Sequence, residues 1–288
     1  QPSPVKGEGA EDMATLPADI ELEIPETSMS NPDGIAVVIG NWDYISPDVP
    51  KVDYAIRDAT AMKNFLIKTF GFREGNILFY ENATQAVFNT LFGTAQEHRG
   101  RLFDLVKPNL SDVFIYYSGH GAPDIGSKQG YFVPVDCDAK RIKLNGYSLN
   151  QFYQNLSHIP ARSFTIVLDA CFSGISQGGS LLGNISPIIP TIENPMMLLP
   201  NATVMTAARG DEVSGWYPEK KHGLFTYFFL KGISGDADRD QNGELTLSEL
   251  KQFLTDETEG VPYWARRLHG KEQHPEVSGV EGKVMVKY

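Results

Sequence analysis

The sequence predicts an α/β protein whose central sheet is mostly parallel and carries helices on both faces. Val113-Phe114-Ile115-Tyr116-Tyr117 and Phe164-Thr165-Ile166-Val167-Leu168 are continuously apolar and rich in β-branched or aromatic residues, as strands buried on both faces are. Segments with apolar residues at helical spacing alternate with such runs, and that alternation closes into a right-handed parallel sheet. Each of the two runs also leads into glycine-rich sequence bearing a reactive side chain, at the end of a strand where open α/β sheets build their sites.

The elements follow in order. Residues 1–33 hold Pro2, Pro4, Pro17 and Pro25 with Gly7, Gly9 and many acids, and read as a linker or as a segment that packs on the domain formed by residues 34–288. Gly34-Ile35-Ala36-Val37-Val38-Ile39-Gly40 is the first strand. Residues 55–70 form a helix with Ile56, Met62, Phe65 and Leu66 available for its core face. Residues 77–80 are a short strand, and residues 84–103 read as one helix despite Gly93 and Gly100. Between residues 174 and 200, Gly178, Gly179, Gly183, Pro187, Pro190 and Pro195 discourage any regular element and predict a loop. Residues 263–268 form an amphipathic helix near the end.

Composition agrees with a folded, soluble chain. Its 288 residues are 41% hydrophobic and 11% aromatic, enough for a large core. No apolar run approaches the ~20 residues of a membrane span, and no signal-peptide pattern opens the sequence. A net charge of −11 argues against a nucleic-acid footprint and suits basic peptides as partners. The two cysteines are no disulfide framework: Cys137 reads as structural, and the redox compartment stays open, the cytoplasm included.

The chemistry lies in Ser118-Gly119-His120-Gly121 and Asp169-Ala170-Cys171-Phe172-Ser173-Gly174. A thiol of ordinary pKa ~8.5 is mostly protonated at neutral pH, so a nucleophilic cysteine needs a base beside it. His120 supplies that base for Cys171. The flanking glycines let a substrate backbone approach, and the Gly121 and Cys171 N–H groups are the donors expected to hold the oxyanion formed on attack at a carbonyl. Taken singly, Cys171 reads equally as a small core residue and His120 as a turn histidine.

The two blocks together resemble a family. His120 precedes Cys171 by 51 residues, close to the ~50 that separates the dyad of caspases. The chain resembles the caspase-like cysteine peptidases, a broad group of caspases, metacaspases and bacterial relatives, from Gly34 onward. Gly130-Tyr131-Phe132-Val133-Pro134-Val135-Asp136 resembles the family's strand after the histidine loop, and Val204-Met205-Thr206-Ala207-Ala208 its strand after the cysteine. His222-Gly223-Leu224-Phe225-Thr226-Tyr227-Phe228-Phe229 resembles the helix that follows. Where caspases carry Gln-Ala-Cys, this chain has Asp169-Ala170-Cys171. The metacaspase resemblance implies that Asp169 and Asp58 line the pocket for the residue before the cut and select Arg or Lys, since two carboxylates in a narrow pocket favour a cation. The alternative is that Asp58 caps or pairs on its own helix beside Arg57 and that Asp169 orients a turn. The resemblance also places Asp211, Glu212 and Ser214 along the substrate cleft, with Ser214 bonding substrate backbone, while Trp216 reads either as a wall of a side-chain pocket or as ordinary core. The loop 174–200, which is cut when caspases are activated, contains no Lys or Arg, so self-processing would fall elsewhere, at Arg209 or Lys220-Lys221. The resemblance implies an active, unprocessed monomer.

A second pattern spans residues 238–249. Asp238, Asp240, Asn242, Glu244 and Glu249 stand where a calcium loop places oxygen ligands, with Gly243 at the sharp turn. The same residues read equally as an interhelical turn in which Thr246 caps the next helix and Glu249 completes a capping box. Calcium here would be structural or regulatory, because the thiol chemistry needs no metal. The sequence reading is thus a cysteine endopeptidase cutting after Arg or Lys through a thioester. Its alternative is a catalytically silent peptide-binding or calcium-responsive module of the same fold.

Overall fold

The computed structural model describes residues 19–124, 126–127, 129–173, 175–176, 179–180 and 199–288. Most of the loop expected at 174–200, and the first part of the N-terminal segment, lie outside the described residues. Six strands form the central sheet: β1 (Ile35–Gly40), β2 (Ile77–Glu81), β3 (Asp112–Ser118), β4 (Ser163–Asp169), β5 (Ala202–Thr206) and β6 (Glu276–Ser278). Their order is β6-β5-β4-β3-β1-β2, and every pairing is parallel except that of β5 with β6. After β2 the chain returns to place β3 on the other side of β1, which opens a crevice at the carboxyl ends of the strands.

Side chains alternate across this sheet because successive Cβ atoms point to opposite faces. Ala36, Val38, Phe114, Tyr116, Val167 and Met205 pack on one face beneath α2 (Ala55–Lys68), α6 (Leu224–Lys231), α7 (Leu247–Leu254) and α8 (Val261–His269). Val37, Ile39, Ile115, Tyr117, Ile166 and Leu168 pack on the other beneath α3 (Gln85–Phe92), α4 (Arg101–Leu105) and α5 (Leu149–Ser157). The N-terminal segment is no free linker where it is described. Its short helix α1 (Asp19–Leu22) buries Ile20 in the first of these cores. No helix among the described residues is long and apolar enough to cross a membrane.

Three local expectations are corrected. Residues 84–103 are two helices, α3 and α4, because Gly93 takes φ +83° and its neighbour in space is the Glu97 carbonyl, 2.5 Å from where a Cβ would stand. The chain doubles back there, and Gly100 packs on the Leu91 backbone. The strand expected over residues 130–136 is present but ends at Phe132, and it stands outside the central sheet. Gly130–Phe132 instead pairs antiparallel with Gly121–Pro123 and Tyr147–Ser148, building a small sheet around the histidine loop. The helix expected from His222 begins two residues later, since His222–Gly223 is a strand paired with Trp216–Tyr217.

Helix α2 lies close over the end of β1. A Cβ on Gly40 would sit 2.6 Å from the Ala55 carbonyl oxygen and 3.0 Å from the Ala59 Cβ. Gly40→Ala is therefore expected to cost about 1–3 kcal/mol through forced separation of strand and helix, read as a lower urea midpoint at unchanged slope.

Candidate active site

Strand register builds this site. Gly40 pairs with Ser118 and Ser118 with Asp169, so the last residues of β1, β3 and β4 form one row across the sheet. His120 and Cys171 each follow that row by two residues, which brings them out side by side at the carboxyl edge. A cleft of about 380 Å³ takes in His120, Cys171, Asp58, Asp169, Ser214 and Trp216.

His120 is held on every side. Its N–H donates to the Tyr44 hydroxyl at 2.8 Å, its carbonyl accepts from the Tyr117 hydroxyl at 2.7 Å, and the Tyr44 ring lies 4.9 Å from the imidazole. Ring Nε2 is 2.7 Å from the Pro50 carbonyl oxygen. A carbonyl only accepts, so Nε2 carries the proton and Nδ1 of the neutral ring is left as the basic nitrogen. Burial lowers the imidazole to about 4 against the opposing pull of the Pro50 carbonyl.

Cys171 is equally enclosed, and burial pushes its thiol up to about 12 while the Ser214 N–H, which donates to Sγ, acts the other way. The resting pair is thus a thiol and a neutral imidazole. Such a pair forms its thiolate by proton transfer during attack, rather than storing it as an ion pair. Gly121 sits beside the nucleophile: a Cβ there would meet the Phe172 ring at 2.5 Å and the Cys171 carbonyl at 2.8 Å.

The two acids are brought together, with Gly223 between them. A Cβ on Gly223 would collide with Asp169 Oδ2 and stand 3.1 Å from Asp58 Oδ2. Asp169 accepts from the Ser214 hydroxyl at 2.8 Å, the Thr226 hydroxyl at 2.6 Å and the Thr226 N–H at 3.3 Å. Thr226 in turn accepts from Tyr116 across 2.7 Å, which ties α6 to β3. Asp58 does not pair with its neighbour Arg57. It accepts from the Gly223 N–H at 3.0 Å and faces His222 Nδ1 at 2.6 Å.

Other expected site residues land differently. Ser214 uses its N–H on Cys171 and its hydroxyl on Asp169, where the sequence pointed to substrate backbone. Asp211 is exposed and does not line the cleft. Asp238, Asp240 and Glu249 bring carboxylate oxygens within 4.8 Å of one another. Glu249 also completes the capping box of α7 with Thr246. The Asn242 side-chain oxygen accepts from the Glu244 N–H at 2.7 Å, and the Glu244 carboxylate turns away to Lys287 at 2.6 Å. Pro50, Thr226, Gly223 and Glu21 support the site without having been singled out in the sequence. His222 enters the sequence analysis only as the first residue of a helix-like block.

Burial first, and then the nearby charge of Asp58, raises Asp169 to about 6 against its Thr226 and Ser214 donors. An acid raised on folding weakens the fold at pH above its folded value, and that penalty fades as pH falls from about 6 toward 3.8. Asp169→Asn is expected to stabilise the protein by about 1–3 kcal/mol at pH 8, with the gain shrinking toward pH 4 in denaturant titrations.

Comparison with known proteins gives the family and the fold. The sequence matches the Caspase domain family over residues 33–283. Among solved structures, caspase-1 from Spodoptera frugiperda superposes with a TM-score of 0.53 at 14% identity, covering 94% of this chain and 95% of that one. No curated protein matches by sequence. The family match spans nearly the whole described domain, both halves of the cleft included, and the chain therefore belongs to the caspase-domain family of cysteine peptidases.

Proposed function

We propose that Cys171 is the nucleophile and His120 the general base of an endopeptidase that cuts after Arg or Lys. The observation that carries the basic preference is Asp169, a buried carboxylate in the cleft whose partners are two hydroxyls and an amide rather than a cation. A guanidinium or ammonium entering beside it gains a charge-assisted contact, whereas an aspartate side chain meets repulsion.

In the proposed reaction His120 Nδ1 takes the thiol proton as Sγ attacks the scissile carbonyl, and the Gly121 and Cys171 N–H groups receive the oxyanion. Collapse breaks the C–N bond, His120 returns the proton to the leaving amine, and a thioester remains on Cys171. Water, deprotonated by the same imidazole, then releases the carboxylate product. The chain is proposed to act as an unprocessed monomer.

A calcium role at residues 238–249 is the second part of the proposal, supported by the convergence of Asp238, Asp240 and Glu249. Millimolar Ca²⁺ is expected to raise the melting temperature of the wild type but not of Asp240→Asn. An equal response in both proteins would reject the loop as the binding site.

Matched fluorogenic peptides ending in Arg, Lys or Asp test the main reading. Arg and Lys substrates are expected to be cleaved, Cys171→Ala to abolish turnover, and Asp169→Asn to lose about 10–100-fold in kcat/KM on Arg, the worth of a charged hydrogen bond. Cleavage after Asp would refute the acidic pocket, and absence of turnover on any peptide would favour a silent binding protein.

A further inference from the structure

Behind the cleft lies a set of charges that the peptidase reading does not use. His222 is fully buried, with Nδ1 2.6 Å from Asp58 Oδ1 and Nε2 3.3 Å from Glu21 Oε1. Nδ1 hydrogen-bonds Asp58, whereas Nε2 meets Glu21 at ion-pair distance without hydrogen-bond geometry; a carboxylate only accepts, so a buried ring with one on either side is best satisfied with both nitrogens protonated. Glu21 is itself gripped by Arg57, through Nε at 3.0 Å and Nη2 at 2.5 Å. Arg57 and Asp58 are adjacent on α2. The four side chains therefore form a ring of alternating charge, Arg57, Glu21, His222 and Asp58, closed by one peptide unit.

The ring reaches the cleft at one member. Asp58 and Gly223 line the cleft, while the His222 side chain stands behind them. Glu21 arrives on α1, ahead of the matched domain. Asp19 on that helix adds contacts to Lys220 at 2.5 Å and to the Tyr227 hydroxyl at 3.2 Å. Burial alone would lower His222, and the Asp58 and Glu21 carboxylates outweigh it to raise the ring to about 9.

We infer that His222 is a positioning residue of the specificity pocket, holding the Asp58 carboxylate ionised and in place, and that Glu21 is the group on the N-terminal segment that keeps it there. The inference rests on the acidic-pocket reading above and adds its supporting layer. The charged groups against His222 are Glu21 from α1 and Asp58 from α2, with the Tyr227 ring 6.4 Å away on α6; Arg57, Asp19 and Asp169 stand one contact further out, on Glu21, Tyr227 and Gly223. Lys220 and Lys221 precede His222 in its own turn. Carboxylates dominate this set, so the imidazolium is favoured until the solution becomes distinctly alkaline. The stabilisation that the ring draws from its proton is complete below pH ~6.5. It is lost as pH rises through about 9. Beyond that point a bare nitrogen faces a carboxylate and the α1 contact is repelled.

The test pairs a spectroscopic readout with kinetics in Glu21→Gln, a near-isosteric change, with His222→Gln used to assign the imidazole Cε1–H resonance by NMR. In the wild type that proton is expected to titrate above pH 8, and in Glu21→Gln at least one pH unit lower. Titration near 6.5, or at the same pH in both proteins, would overturn the ring. In kinetics on an Arg peptide, KM for Glu21→Gln is expected to rise at least threefold between pH 7 and 8.5, with kcat changing less than twofold. An equal fall in kcat on basic and neutral peptides would overturn the positioning role. A preference for Asp peptides combined with high-pH titration of His222 would overturn the basic-residue reading and uphold the ring, so the two failures are distinguishable.

Discussion

The buried carboxylate of Asp169 is the constraint around which the catalytic end of this fold is arranged. A charge so placed is costly unless every lone pair finds a donor. The hydroxyls of Ser214 and Thr226 and one backbone amide are drawn to it from two separate stretches of chain. Thr226 brings α6 against β3 through Tyr116, and Ser214 brings the segment after β5 across the thiol. Gly223 is the one residue type thin enough to pass between the two acids. The packing of that helix and the shape of the cleft are thus one arrangement.

The dyad is organised by a different principle. His120 is fixed by uncharged partners, two tyrosine hydroxyls and a carbonyl, and it shares the cleft with a protonated thiol. Dry surroundings keep both groups neutral at rest. The charges therefore stand one step away from the reacting atoms, in Asp169 and in the ring behind Asp58. In the proposed reaction, this separation would let substrate recognition be strongly electrostatic while the thiol stays unreactive until a carbonyl is presented.

Much of this was legible in sequence, for physical reasons. Strands buried on both faces leave continuous apolar runs, and reactive residues at their ends stand out against the glycines beside them, so β1, β3, β4, His120 and Cys171 could all be read directly. The helix at residues 84–103 was misread because apolar spacing alone does not reveal that Gly93 and Gly100 reverse the chain. Asp58 was found, but not its partner, which lies 164 residues away. Glu21 lies in a proline-flanked acidic stretch that resembles a linker, and only tertiary packing shows Ile20 anchoring it to the core. Local pattern records what a residue can do, while the charge ring depends on which distant residues the fold brings to it.

The His120 ring leans on the main-chain oxygen of Pro50. A saturation scan replaces side chains and leaves carbonyls in place, so the group that sets the histidine tautomer would be invisible in such a map. Sequence drift at position 50 would likewise leave this contact in place, provided the path of the chain through residues 49–52 is preserved. Heredity of this part of the machinery passes through loop shape and not through any letter of the alphabet.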